Sequence, residues 1–331
     1  WQRAWLDSGV LSQQLAYWER QLAGAPPLLD LPTDFARPAL PDSTQGARET
    51  VMLPTALLEA LRDFSRQRGV TPFMTLLAAL ELTLFRWSGQ TDLVIGTVVA
   101  NRNQDETRPL IGCFMNFLAL RTQFEGLENG AQLLTAVRST VFDAYDNQDC
   151  PYAKVVEKIQ PDRSLGQNPL YNVAFLLQNL RSPSLFGDDI QAEPVTLDTE
   201  TSLLDLRFVG QETSSGLRMM CEYNTELFTA ATIQQVLAFF ATVLQQILQE
   251  PALPLAQVVP PDELVAQAEA SHRRDFQKAI AIAATFTAEP VEDALAFWMK
   301  QLQLPTRIEF APYNQVFQQL LDPASLLRQN E

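Results

Sequence analysis

Apolar residues recur along much of the chain at the spacing of an α-helix. In residues 11–22 they fall on one face, which predicts an amphipathic helix with that face buried. The same periodicity, with Pro, Thr, Asn and Gly as start and stop signals, predicts further helices over residues 56–67, 73–87, 130–145, 152–159, 231–249 and 262–276. The segment 73–87 is apolar nearly all round and is therefore predicted to be a core helix.

Short β-prone runs lie between these helices. They predict strands over residues 48–53, 92–99, 114–121, 171–177, 189–197, 203–210 and 216–223. The last two runs are separated only by Gln211–Ser215, which predicts a hairpin. Helices and strands mixed in this way predict an α+β domain, in which a mixed sheet carries flanking helices.

The last part of the chain changes character. Prolines at 251, 254, 260 and 261 mark a boundary, so residues 1–255 are predicted to form the first domain and residues 256–277 a linker. Residues 278–331 alternate β-α-β-α, which predicts a parallel sheet. This stretch is too short for a complete α/β domain and is expected to be the beginning of one.

Composition narrows the class of protein. The chain has 331 residues, 47% apolar and 19% charged, as expected for a globular protein, and its net charge of -15 disfavours nucleic acid and anionic membranes as partners. No apolar run reaches the ~20 residues of a membrane span, and no signal peptide precedes the first helix. Cys113, Cys150 and Cys221 lie in or beside apolar runs and are expected to be buried, reduced thiols, which predicts a cytoplasmic protein. A chain that starts at Trp1 and ends in LLRQNE is expected to be cut from a longer polypeptide.

Polar residues concentrate between Asn147 and Asn179, where a predicted helix passes the chain to a buried strand. Asn, Gln and Asp in succession favour a helix end, Pro151 delays the next helix, and Asn168-Pro169 is typical of a turn. Polar side chains at such junctions often form sites. On the residues alone, however, the simpler interpretation of a structural connection is favoured.

Five ordered segments resemble motifs of the condensation domains of nonribosomal peptide synthetases. They are WQRAWLDSG at the start, YWERQLAGAPPLLDLPTDFARP, Ile111–Asn116, Asn147–Tyr152, and Arg163-Ser164 followed by Asn168–Leu170. Phe117 replaces the usual Thr of Ile-Gly-x-Phe-Val-Asn-Thr, and Ala153 replaces the Glu of His/Asn-Gln-Asp-x-Pro-Phe-Glu. Each motif is weak alone, but the ordered set covers about the first 255 residues.

The resemblance implies a chloramphenicol-acetyltransferase-like lobe, one of two that enclose a tunnel. The implied reaction is amide bond formation, in which an acceptor amine attacks a donor thioester in the biosynthesis of secondary metabolites such as antibiotics. The implied partners are donor and acceptor carrier-protein domains, the N-terminal lobe of the same domain and neighbouring synthetase domains. No cofactor is expected to bind this chain directly, because the phosphopantetheine arms belong to the carrier proteins.

The family's catalytic motif, His-His-x-x-x-Asp-Gly, is absent from this sequence. The single histidine, His272, has no His neighbour, which also leaves little material for a metal site or a Ser-His-Asp triad. Amide formation needs a base or hydrogen-bond acceptor near the attacking nitrogen. The chain is therefore expected to be a C-terminal lobe that does not condense alone and holds no catalytic residue.

Several residues in the matched motifs are candidates for the tunnel wall. Asn168 is predicted to line the tunnel and to donate a hydrogen bond to the developing oxyanion, or to use its side chain locally in an Asn-Pro turn. Asn116 has the same two interpretations at the end of its strand. Gln148 is also placed at the tunnel but is expected mainly to fix the helix end.

The remaining candidates are expected to shape the site. Asp149 is predicted to pair with Arg163, and Ser164, with no base nearby in sequence, is not read as a nucleophile. Arg102 is predicted either to meet a phosphopantetheine phosphate or to be a solvated loop residue.

Two alternatives to a condensing enzyme stay open. One is a non-catalytic lobe that docks carrier proteins or holds the next enzyme, and the other is a related acyltransferase of the same superfamily. The segment after residue 278 resembles the N-terminal part of FkbH-like proteins of the haloacid dehalogenase superfamily, whose Asp-x-Asp motif is not in this sequence.

Overall fold

The computed structural model describes residues 5–37, 45–103, 105–159, 168–178, 200–275, 278–282, 294–295 and 306–310. The chain forms two compact units, Trp1–Val265 and Ala266–Glu331. The division falls inside the segment 256–277 that the sequence suggests as a linker. Leu255 and Val258 are buried in the first unit, where Arg86 donates to the Val258 carbonyl at 2.6 Å.

Helices and strands follow the sequence pattern closely. The helices are α1 (Leu11–Gln21), α2 (Thr55–Arg68), α3 (Pro72–Ser88), α4 (Gly130–Asp146), α5 (Tyr152–Ile159), α6 (Ala230–Gln249) and α7 (Asp262–Asp275). The strands are β1 (Gly46–Pro54), β2 (Asp92–Val99), β3 (Asn116–Gln123), β4 (Val173–Gln178), β5 (Leu206–Thr213), β6 (Gly216–Asn224), β7 (Lys278–Ile282) and β8 (Thr306–Phe310). A π-helical turn, Leu6–Val10, precedes α1.

Side-chain caps explain where the longer helices begin. Thr71 accepts a hydrogen bond from the Met74 amide, and Pro72 occupies the first helical position of α3. Asn129 caps α4 by accepting from Gln132, and Thr229 caps α6 by accepting from Thr232. These are local signals, so they are legible in the sequence.

Six strands of the first unit form one mixed sheet in the order β1-β6-β5-β4-β2-β3. β4 is parallel to both β2 and β5, and the other neighbours are antiparallel. The predicted β5–β6 hairpin and the mixed α+β sheet are confirmed. The predicted strand over residues 189–197 lies outside the described residues.

The sheet has two unlike faces. On the first, Phe175 of β4 stacks on Phe73 of α3, with ring centroids 5.3 Å apart. Successive residues of a strand point to opposite faces, so Ala174 belongs to the second face. One row crosses that face through all six strands: Arg48, Glu222, Arg207, Ala174, Gly96 and Ala119.

Two expectations need correction. Cys150 and Cys221 are buried, but Cys113 is exposed, because it lies in the loop before β3 rather than in a packed strand. The expectation that no segment could span a membrane is also corrected. By length and composition α6 could cross a membrane, and α2 with α3 would qualify as one bent span. Half of the apolar window of α6 is buried, with Phe239 and Phe240 in the core.

The second unit contains a parallel pair, in which β7 and β8 run from Lys278 opposite Thr306 to Ile282 opposite Phe310. The parallel pairing predicted for this segment is confirmed for these two strands. The helices predicted between and after them lie almost entirely outside the described residues, which include only 294–295 there.

Candidate functional site

The turn from α4 into α5 is held from two sides. Asn116, the first residue of β3, donates from Nδ2 to the carbonyls of Gln148 (2.8 Å) and Cys150 (2.7 Å) and accepts at Oδ1 from the Tyr152 amide (3.0 Å). On the other side, Gln14 of α1 accepts from the Cys150 amide at 2.6 Å. The Asn116 amide is thus committed to this turn, which is the structural alternative considered for it. Its tunnel-lining role stays a prediction.

The other polar residues of the turn have local partners. Gln148 donates from Nε2 to the Tyr145 carbonyl at 2.7 Å, so it closes the end of α4 as expected. Asp149 has Asn103 Nδ2 3.5 Å from its Oδ1. Arg163 and Ser164 lie outside the described residues, and with them the predicted Asp149–Arg163 ion pair.

Asn168 adopts the local turn that its sequence suggests. Its Oδ1 accepts from the Leu170 amide at 3.2 Å, two residues ahead, and from the Tyr152 hydroxyl at 2.7 Å. A backbone N–H can only donate, so the atom facing Leu170 must be the oxygen of the amide. The Asn168 side chain also interacts with the Tyr171 hydroxyl, an interaction that lowers the pKa of Tyr171 against the larger effect of burial. The bonds to Leu170 and Tyr152 use only the oxygen of this side chain.

An aromatic wall adjoins Asn168 on the second face of the sheet. It consists of Phe117, Tyr152 and Tyr171: the Tyr152 ring centroid lies 5.9 Å from that of Phe117 and 6.0 Å from that of Tyr171. Phe117, which replaces the Thr of the family motif, is 44% exposed. The wall combines an accessible apolar ring with two phenols.

Gly96 makes room for this wall. A Cβ at Gly96 would stand 2.2 Å from Cε2 of Tyr171, so only glycine lets that ring lie flat against β2. The neighbouring Thr97 donates to the Phe175 carbonyl at 2.8 Å and ties β2 to β4. The position of Tyr171 is thus set by the two central strands.

Both phenols stay protonated. Burial raises the pKa of Tyr171 to about 12, and burial, followed by the charge of Tyr171, raises the pKa of Tyr152 well above its ordinary value of 10.0. Near neutral pH the two hydroxyls are therefore hydrogen-bonding groups, not bases.

A buried network fixes the entry of β4. Asn172 donates to Asp205 Oδ2 at 2.7 Å and to the Leu29 carbonyl at 2.8 Å, and it accepts from the Leu29 amide at 2.9 Å. Arg37 grips the same Asp205 with both terminal nitrogens, one of them 3.0 Å from Oδ1. This paired charge, buried on the carboxylate side, ties the segment after α1 to the strand that follows Asn168.

The side chain of Arg102 contacts its own loop. Its guanidinium donates to the carbonyls of Thr107, Leu110 (2.9 Å) and Gly112 (3.0 Å), and it lies 4.4 Å from the ring centroid of Phe114. The Arg102 side chain is thus used inside its own loop, and its contact with a phosphopantetheine phosphate stays a prediction. Leu110, Ile111 and Met115 are left exposed on that loop.

We expect Arg102→Lys to loosen the loop. A lysine ammonium cannot serve three divergent carbonyls and stack on Phe114 as the planar guanidinium does. Amide hydrogen exchange over residues 105–114 is expected to accelerate at least about tenfold, because each lost hydrogen bond contributes ~1 kcal/mol.

Arg108→Lys is the matched control for that substitution. Arg108 lies in the same loop, is mostly exposed, and pairs with Asp105 at 3.1 Å. The Arg108→Lys substitution should leave amide hydrogen exchange over residues 105–114 nearly unchanged, since exposed ion pairs contribute little to stability. Equal protection in the Arg102 and Arg108 variants would show that Arg102 does not organise the loop.

Comparison with known proteins identifies the family. The sequence model described as "Condensation domain" matches residues 1–268. This chain belongs to the condensation-domain family. The matched region includes every candidate site residue.

Curated relatives of this condensation-domain chain are much longer. A linear gramicidin synthase protein of Brevibacillus parabrevis is 43% identical over 260 residues, which are 78% of this chain and 3% of that protein. Phosphinothricin tripeptide synthetase PhsC of Streptomyces viridochromogenes is 40% identical over 258 residues, 77% of this chain and 24% of that protein. The chain thus spans a small part of each.

Solved structures show the same fold. The X-domain from teicoplanin biosynthesis superposes with a TM-score of 0.68 at 24% identity, covering 77% of this chain and 60% of that one. The condensation domain from Monacolin K polyketide synthase MokA gives 0.68 at 21% identity, covering 77% and 61%. The predicted condensation-domain fold, a mixed sheet with flanking helices, is confirmed.

Sequence reasoning missed the two phenols beside Asn168. The signal was present, since Tyr152 opens the helix after the Asn-Gln-Asp turn and Tyr171 directly follows the Asn-Pro-Leu motif. The sequence assigned Tyr152 only to a predicted helix and a motif, and Tyr171 only to a predicted strand. Only the fold brings their hydroxyls to the Asn168 amide.

Proposed function

We propose that this chain is the wall-forming lobe of an amide-bond-forming condensation domain in a nonribosomal peptide synthetase or a hybrid with a polyketide synthase. The arrangement that carries the proposal is Asn168 beside the aromatic wall, inside the family's motif and with its amide nitrogen left over by the turn. Amine attack on a thioester places negative charge on the carbonyl oxygen. A fixed N–H donor stabilises that charge more in the transition state than in the ground state.

The proton of the attacking amine needs a separate group. Tyr152 and Tyr171 stay protonated near neutral pH, so neither hydroxyl serves as the base. We infer that a lobe carrying His-His-x-x-x-Asp-Gly supplies this group. In this arrangement the present chain orients the thioester and stabilises charge, and the other lobe handles the amine.

The proposed partners are carrier-protein domains that present donor and acceptor on phosphopantetheine arms. Arg102 is kept as a proposed contact for the phosphate of an arm, although its guanidinium already serves three carbonyls and the Phe114 ring.

We expect this chain alone to form no amide from a loaded donor and a loaded acceptor carrier protein. The same lobe, tested within the synthetase that contains it, is expected to form the amide at a rate well above the uncatalysed reaction. Mass spectrometry of the carrier-bound product measures both. Condensation by the isolated chain would contradict the proposed division of labour, and an inactive synthetase would contradict the proposed function.

A non-catalytic docking lobe is the alternative, favoured by one observation: the 331 residues hold a single histidine, outside any His-His pair. In that case the synthetase would bind loaded carrier proteins without transferring the donor. We further infer that residues 278–331 begin an FkbH-like α/β domain. The parallel β7–β8 pair supports that interpretation.

A further inference from the structure

The backbone of Tyr152 is held in place by a contact separate from the one to Asn168. Its amide donates to Asn116 Oδ1 at 3.0 Å, and Asn116 in turn fastens the carbonyls of Gln148 and Cys150. The first residue of α5 is therefore pinned to the first residue of β3. A side chain that leaves from a pinned backbone has few positions for its tip.

The tip of Tyr152 decides how the Asn168 amide lies. Asn168 Oδ1 is identified by the Leu170 N–H, and Tyr152 Oη lies 2.7 Å from that same oxygen. Facing an oxygen that can only accept, the hydroxyl must donate. Of these two bonds the phenolic one is shorter, so it contributes more to holding the amide plane.

We propose that Tyr152 is a positioning residue that orients the Asn168 amide so that Nδ2 presents its N–H groups to the reacting thioester carbonyl. The inference rests on the proposed function and assigns its key orientation to one hydroxyl. The family motif quoted above carries Phe at this position, so the device belongs to this chain rather than to the motif.

Tyr152→Phe removes the hydroxyl and keeps the ring. In the synthetase that contains this lobe, we expect kcat to fall about tenfold, the worth of one well-placed hydrogen bond, with the KM for the acceptor unchanged. In an Asn168→Ala background the same substitution is expected to change kcat by less than about twofold, because Tyr152 acts through Asn168. Tyr17→Phe removes a buried hydroxyl that lacks a hydrogen-bond partner within the described residues and should leave kcat unchanged.

A second measurement does not depend on turnover. In protein labelled with 15N-asparagine, the Asn168 side-chain amide is the pair of resonances that disappears in Asn168→Asp. Tyr152→Phe is expected to shift this pair and broaden it, and Tyr17→Phe to leave it in place.

The outcomes separate the two claims. An unshifted Asn168 amide in Tyr152→Phe overturns the inference even if the synthetase proves inactive, in which case the proposed function fails on its own. With an active synthetase, an unchanged kcat or an equal loss in the Asn168→Ala background also overturns it.

Discussion

Asn168→Asp in the synthetase that contains this lobe is expected to lower kcat about 100-fold without unfolding the protein. The aspartate carboxylate is planar like the asparagine amide and keeps an oxygen at the position of Oδ1. It therefore still accepts from Leu170 and Tyr152 and preserves the turn. What it loses is the N–H donor, and it places an oxygen where that donor stood. Removing one preorganised donor from an oxyanion site costs about 10²–10³ in kcat.

Asn224→Asp is the matched control for that substitution. Asn224 Oδ1 accepts from the Glu226 amide at 2.8 Å, two residues ahead, which is the same kind of turn elsewhere in the first unit. The two variants should have similar thermal stability, and single-turnover product formation should fall only in Asn168→Asp. A comparable rate in both would mean that Asn168 serves the turn alone.

Helices and strands could be predicted from the sequence because the residues that specify them are close together along the chain. The strand predicted over residues 92–99 and the helix over 152–159 have these same bounds in the structure, since apolar period, Pro151 and flanking turns specify them. The order of the strands was not legible. β4 pairs with β2 and β5 through contacts that only the folded sheet creates.

The candidate site shows the same difference between contacts made by neighbouring residues and contacts made only in the folded chain. Gln148 closes the end of its own helix, so its role could be read from neighbouring residues. The contacts of Arg102 could not be predicted, because an arginine in a polar loop gives no sign that three carbonyls of that loop converge on it. Asn168 was correctly placed in a turn, but the hydroxyl that shares its oxygen is 16 residues away.

These contacts connect the polar turn after α4 to the candidate site, a connection that the residues of the turn alone do not indicate. Asn116 fastens the turn and the Tyr152 amide, Tyr152 fixes Asn168, and Gly96 lets Tyr171 close the wall. Residues first judged structural therefore hold the side chain that we propose as the oxyanion donor. Structural and functional interpretations of such junctions need not compete.

The largest effect on stability is expected at Glu81. It lies on α3 with no exposed surface; its Oε1 accepts from Thr122 at 3.1 Å, and within the described residues its Oε2 has no hydrogen-bond partner. Burial raises the pKa of this carboxyl to about 8, from an ordinary 4.5, and the Thr122 bond lowers it only partly. The folded state therefore keeps a proton that the unfolded state releases.

The sign of the pH effect follows from that proton. Because the folded pKa is the higher one, the contribution of Glu81 to folding is fully present below about pH 4.5 and is lost as the pH rises through about 8. The loss amounts to about 3–5 kcal/mol across that window. Glu81→Gln keeps the shape, has no proton to lose, and should remove this part of the pH dependence.

Urea unfolding midpoints at pH 5.5 and 8.5 measure the effect. Wild type should lose stability over this interval relative to Glu81→Gln, whereas Glu59→Gln, a change at an exposed position on α2, should follow wild type. Parallel pH profiles for wild type and Glu81→Gln would show that the carboxyl is already ionised in the folded protein. A buried charge with one unpartnered oxygen is costly, so we expect the profiles to diverge as the pH rises.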